Sequence, residues 1–141
     1  MKISILGVSR SGKTCYISAM SQVLKNCNLG NGCRISLKTN EIAKQLELDN
    51  NFMSMATERE WPKGTDTTTS YDFRIHFQSQ DASLQLSSLT MDDYRGGMLN
   101  GMGKQDKNDR DSFIESMSDT AVITFLIDGT TVLNAMDELD K

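Results

Sequence analysis

Gly7-Val8-Ser9-Arg10-Ser11-Gly12-Lys13-Thr14 sits between a short apolar run and an amphipathic stretch, and its reading decides the fold. Upstream, Ile3, Ile5 and Leu6 form a strand that ends at Gly7. Downstream, Tyr16, Ile17, Met20, Val23 and Leu24 recur at three- and four-residue steps, which predicts a helix over 13–25. The octet fits G-x-x-x-x-G-K-[ST], a pattern in which each fixed position has a physical task. Gly7 lets the strand turn sharply, and Gly12 lets the backbone approach a ligand with no side-chain clash. Main-chain N–H groups of Ser9, Arg10 and Ser11, and of Cys15 at the start of the helix, point at an anion. Lys13 brings an ammonium to the outer phosphates of a polyphosphate, and Thr14 offers a hydroxyl to Mg²⁺.

Beyond that corner, residues 26–32 read as a break rich in Asn and Gly. Ile35 and Leu37 suggest a short strand over 34–38, and Asn40 is placed to cap a helix with Ala43, Leu46, Phe52 and Met53 on its inner face. The strongest strand signal follows a polar, threonine-rich loop at 62–70. Tyr71, Phe73, Ile75 and Phe77 alternate with polar residues, and Leu84, Leu86, Leu89 and Met91 form the return strand. A phase slip at Ser87-Ser88 predicts a bulge in this antiparallel hairpin. Residues 92–111 are polar and glycine-containing; a short helix is expected around Phe113, Ile114 and Met117. Ala121 to Ile127 is a continuous apolar run, typical of a strand buried on both faces, and 130–139 is expected to begin another helix.

Two further elements bear on chemistry. Asp93-Tyr94-Arg95-Gly96 is a D-x-x-G at the end of the return strand. Its carboxylate can hold Mg²⁺ through a water, and its glycine N–H can meet a γ-phosphate; Asp92 is the rival carboxylate. The loop ahead of Tyr71 offers Thr65, Thr67, Thr68 and Thr69 as the hydroxyl that completes a Mg²⁺ shell, and Thr68 is taken as the metal-binding candidate. Trp61 reads as a packing anchor before that loop.

Composition limits the alternatives. The chain has 141 residues and a formal net charge of −4 (15 basic against 19 acidic side chains), so a general nucleic-acid surface is not expected. No apolar run is long enough for a spanning helix. Three cysteines without metal-ligand spacing read as reduced thiols and point to the cytoplasm.

With these elements in order, the sequence resembles the P-loop GTPases from Met1 to about Asp128. Trp61-Pro62-x-Gly64-Thr65 and Asp93-Tyr94-Arg95-Gly96-Gly97 look more narrowly like bacterial GTPase-like proteins of the translation-factor-related class. The resemblance implies a three-layer α/β fold with a mostly parallel sheet and one antiparallel hairpin, binding of GTP or GDP with Mg²⁺, and switching between the two forms. It implies that Lys13 meets the β- and γ-phosphates, that Thr14, Asp93 and a loop threonine serve Mg²⁺, and that Gly96 senses the γ-phosphate. A protein partner is expected at the threonine-rich and glycine-rich loops.

Three departures stand out. Gly97 occupies the place where many small GTPases carry a catalytic glutamine, so hydrolysis should be slow or use another group. An insertion at about 33–57 separates the first helix from the threonine loop and offers a partner surface. An N-K-x-D base-reading motif is not found in its expected place, which suggests that 1–141 is the N-terminal portion of a domain. A truncated sheet would leave strand edges unpaired and invite a homo-oligomer or strand exchange. An ATPase, or a degenerate module that binds without turnover, are the competing functions.

Overall fold

The computed structural model describes residues 1–64, 66–96, 98 and 103–129, with Asp106 described by its backbone alone. In chain order the elements are β1 (Lys2–Leu6), α1 (Lys13–Leu24), β2 (Cys27–Gly30), β3 (Cys33–Thr39), α2 (Ile42–Met53), β4 (Thr69–Gln78), β5 (Ser83–Asp93), α3 (Lys104–Ser116) and β6 (Val122–Phe125). A π-helical turn at Ser54–Glu58 extends α2, and a 3₁₀ turn at Met117–Asp119 follows α3.

The strands form one sheet in the order β2-β3-β4-β5-β1-β6. Among the described residues only β5-β1 and β1-β6 pair parallel; β2-β3, β3-β4 and β4-β5 pair antiparallel. This overturns the expected three-layer P-loop fold with a mostly parallel sheet and one antiparallel hairpin. The observed architecture is a mixed α/β fold whose sheet is mostly antiparallel. The difference arises in residues 27–39. The stretch expected as a break instead folds back as β2 across a turn at Gly30, Asn31 and Gly32, all at positive φ (86°, 51° and 74°). Strand β3 then pairs with β4 over Arg34 to Thr39, so part of the 33–57 insertion enlarges the antiparallel half of the sheet.

The hairpin β4/β5 forms as the alternation requires, with Tyr71 opposite Met91 and Phe73 opposite Leu89. Its register shifts where Ile75 faces Ser87 and His76 faces Gln85, leaving Leu86 as the extra residue beside the predicted slip. On one face of the sheet a core gathers Ile5, Ile17, Leu37, Leu48, Tyr71, Phe73, Leu89 and Met91. Leu6, Tyr94 and Met98 form a second cluster with Phe113 of α3 and Ile123 of β6 packed against it. Ile5 and Leu6 fall in different clusters because successive strand residues point to opposite faces.

Two further expectations fail for identifiable reasons. Among the described residues β6 is an edge strand paired with β1, and Val122, Phe125 and Ile127 are exposed, so the run is not buried on both faces. Helix α2 has Glu41, not the expected Asn40, at its N-cap position with no side-chain capping bond, and it buries Leu48, while Ala43, Leu46 and Met53 face outward. Polar contacts set this rotation. Asp49 accepts bonds from Gln22 and Lys25, at 3.0 and 2.8 Å, and from Gln45 at 2.9 Å, fastening α2 to α1.

Burial opposes the charge on Asp49, but the bonds from Lys25 and Gln45 prevail and hold its pKa below the ordinary 3.8. A folded-state pKa below the unfolded value gives stability that is complete above the unfolded pKa and is lost as pH falls through the folded one. Asp49→Asn should therefore cost on the order of 0.5–1 kcal/mol near neutrality and flatten the loss of stability below about pH 4, as read by urea unfolding across pH.

Candidate functional site

Strand β1 lies between two parallel neighbours, so the carboxyl ends of β5, β1 and β6 point the same way and the loops leaving them converge. The turn after β1 carries residues 7–12, and Asp93, paired with Ile5, ends β5. Within the turn, Arg10 and Gly12 adopt positive φ (67° and 87°). Gly7 is packed so closely that a Cβ there would meet Ser11 Oγ and the Leu126 carbonyl. Helix α1 starts at Lys13 with no side-chain cap and no acidic residue of its own in the first turn, so main-chain N–H groups at its start are not bonded by a capping side chain.

Lys13 is only 5 % exposed, and its Nζ donates to the carbonyls of Gly7 (2.9 Å) and Val8 (3.0 Å). Burial lowers its pKa from the usual amine value, with Asp93 partly offsetting the effect. Thr14 Oγ1 donates to Asp93 Oδ2 at 2.7 Å, and Asp93 is 1 % exposed. The rival carboxylate, Asp92, points to the other face of β5, as alternation dictates. There it meets Lys2 Nζ at 3.1 Å and accepts from Ser70 Oγ at 2.6 Å. The carboxylate that reaches the first turn of α1 is thus Asp93.

Gly96 completes the corner. A Cβ at that position would run into the Ser9 backbone, so only glycine permits this contact between the D-x-x-G loop and the turn after β1. The loop is tied to α3 on its other side: Arg95 Nε meets Asp109 at 2.8 Å and Tyr94 Oη lies 2.8 Å from Ser116 Oγ. Arg95 is accordingly directed to α3.

Every nominated nucleotide-binding residue except Gly7 lines one cavity of about 620 Å³: Ser9, Arg10, Ser11, Gly12, Lys13, Thr14, Cys15 and Gly96. The segment Trp61 to Gly64 supplies the remaining wall. Among the described lining residues are the cations Arg10, Lys13 and Lys63 and no carboxylate, in a chain whose overall charge is negative. An adjoining cavity of about 350 Å³ shares Thr14 and residues 62–64, and brings in Thr67, Thr69, Tyr71, Glu47 and Asp66. Thr67 and Thr69, not Thr68, line this cavity with Thr14, and Thr69 also pairs across the hairpin with Asp93. Thr68 is exposed and lines neither cavity. Thr65, Gly97, Gly101 and the helix expected at 130–139 lie outside the described residues.

Sequence reasoning missed two contributors to these walls. Trp61 was expected to pack, yet it is 77 % exposed at the cavity. Lys63 carried no signal beyond its position in a polar loop.

Among the described residues no group of three or more His, Cys, Asp or Glu side chains is arranged to hold a metal. The fit for Mg²⁺ rests on the donors at the corner, a hydroxyl and a carboxylate in contact. Mg²⁺ prefers such oxygen donors and commonly takes one or two protein ligands, completing its octahedron with phosphate oxygens and waters. If the ion is held this way beside a bound phosphate ligand such as a nucleotide, Thr14→Ala should reduce the Mg²⁺ enhancement of that ligand's affinity on the order of 10-fold. Affinity measured in EDTA should change little; titrations with and without Mg²⁺ read both quantities.

No protein-family model matches this chain, and no curated protein matches it. Among the described residues no helix is long and apolar enough to cross a membrane.

Proposed function

We propose that this chain binds a nucleoside triphosphate together with Mg²⁺, that the nucleotide is GTP, and that the protein works as a slowly hydrolysing switch. The observation that carries the reading is the buried Lys13 ammonium, held by two turn carbonyls one residue before a threonine that touches Asp93. Desolvating a cation is costly unless something negative is brought to it. The surrounding cavity adds Arg10, Lys63 and the uncapped start of α1. A polyphosphate satisfies all of these groups at once. Lys13 and the turn amides would bind the β- and γ-phosphates, and Thr14 and Asp93 would hold Mg²⁺. When bound, the ion would neutralise charge on the phosphate oxygens.

The choice of guanine rests on the resemblance of Asp93-Tyr94-Arg95-Gly96 to the D-x-x-G of GTPases. Exchange of the bound nucleotide would then alter the described threonine-rich stretch beside the cavities, including Pro62 to Gly64 and Asp66 to Thr69, and so change the surface offered to a protein partner. The free thiols of Cys15, Cys27 and Cys33 accord with a cytoplasmic setting.

A second reading, binding without turnover, is favoured by one observation. Among the described residues lining the larger cavity there is no carboxylate, imidazole or side-chain amide to orient an attacking water. Calorimetric titration with GTP, GDP and ATP, with and without Mg²⁺, followed by phosphate-release measurements, separates the readings. Mg²⁺-dependent binding that favours GTP, with slow release, is the expected result. A preference for ATP contradicts the guanine assignment. Binding of neither nucleotide nor tripolyphosphate contradicts the site itself.

A further inference from the structure

Trp61 is the chain's single tryptophan, and the residue is 77 % exposed. A tryptophan brings the largest apolar surface of any side chain and usually finds cover. Among the described residues the aromatic ring contacts are Tyr71 with Phe73 and Tyr94 with Phe113, and neither involves Trp61. Trp61 instead lines the cavity that holds Lys13 and Gly12.

The backbone on both sides restricts where the indole can go. The π-helical turn before it ends at Arg59 in the left-handed region (φ 56°), with Glu60 N–H donating to the Ser54 carbonyl at 3.1 Å. Pro62 follows directly, and a residue before proline is confined to extended backbone. The backbone that carries Trp61 is thus limited on both sides, by the left-handed Arg59 and by Pro62.

The lining chemistry divides in two. Arg10, Lys13, Thr14 and the turn amides account for a phosphate chain and its metal. Trp61 and Pro62 add an apolar wall that phosphate has no use for. A volume of about 620 Å³ falls within the range of pockets that enclose a whole small molecule. We propose that the Trp61 indole is the platform on which the base of the bound nucleotide stacks. It would thereby separate nucleotides from inorganic polyphosphates and phosphorylated sugars. This rests on the nucleotide reading above and adds the group that recognises the base. Stacking uses the π-face that every base has, so Trp61 favours purines over pyrimidines by ring area and does not choose guanine over adenine.

Because the chain has one tryptophan, its fluorescence reports on this residue alone. The wild type is titrated with Mg²⁺–GTP and with Mg²⁺–tripolyphosphate; nucleotide is expected to quench the emission, and tripolyphosphate to bind while leaving it nearly unchanged. Calorimetry on Trp61→Ala should show nucleotide affinity reduced about 5- to 100-fold and tripolyphosphate affinity unchanged, with Trp61→Phe recovering most of the loss. Trp61 is exposed, so the variants should unfold at the wild-type midpoint. Unaltered nucleotide affinity in Trp61→Ala, or an equal loss for both ligands, overturns the platform while leaving the phosphate site standing. Failure of the wild type to bind either ligand overturns the site and the platform with it.

Discussion

Lys13→Ala should lower nucleotide affinity about 30-fold or more while leaving the unfolding midpoint of the free protein close to that of the wild type. The two halves of this expectation have the same physical origin. In the free protein the ammonium is 5 % exposed and rests on two carbonyls, so its burial opposes the charge that those bonds partly support. Removing it deletes the hydrogen bonds and the desolvation cost together, with little net change. In the complex, the same ammonium would face a phosphate chain in a cavity with no carboxylate among the described lining residues. Losing one partner of such a buried charge pair costs about 2–5 kcal/mol, which corresponds to roughly 30- to several-thousand-fold in affinity. Calorimetric titration and a thermal melt on the same sample measure both halves. A variant that binds normally removes Lys13 from the site; one that melts far below the wild type makes it a structural residue.

The second large effect concerns the fold. Phe73→Ala should destabilise the protein by about 3–5 kcal/mol, a large share of the roughly 5–15 kcal/mol typical of a natural domain. Phe73 is fully buried on β4, paired with Thr39 of β3 and Leu89 of β5, with its ring 6.4 Å from that of Tyr71. Its removal opens a cavity where the antiparallel half of the sheet is pinned to α1 and α2. Leu86→Ala on the neighbouring strand is the control. Leu86 is the exposed bulge residue, and its loss should stay within about 0.5 kcal/mol. Urea unfolding of both variants gives the comparison, and similar losses would contradict the assigned core.

How much of this was legible in the sequence differs from element to element. The corner at residues 7–14 was legible because every fixed residue there serves backbone geometry or charge, and local sequence specifies both. The hairpin β4/β5 was legible because strict alternation from Tyr71 to Phe77 has one structural meaning. The sheet's direction was not. Cys27-Asn28-Leu29-Gly30 has neither alternation nor β-branched residues, and it becomes a strand only by pairing with β3. That tertiary choice, with the addition of β3 to β4, makes the sheet mostly antiparallel where the resemblance implied a mostly parallel one.

Apolar periodicity also misjudged α2, because the contacts that orient it run through Asp49, Gln45 and Lys25, which a count of apolar residues ignores. In the site, composition offered four threonines of equal merit. Only strand pairing distinguishes Thr69, opposite Asp93, from its exposed neighbour Thr68. The choice between Asp92 and Asp93 likewise depends on which face of β5 meets α1, a fact of packing that adjacent identical residues cannot reveal.

In the proposed complex the main-chain amides of one strand-to-helix turn, together with Lys13, receive a polyphosphate. Backbone ¹H–¹⁵N correlation spectra recorded as Mg²⁺–GTP is added test this most directly. The largest shifts are expected on the amides of Ser9 to Cys15 and of Gly96. Saturating nucleotide that leaves those amides unmoved, or moves a different part of the sheet instead, would contradict this mode of binding.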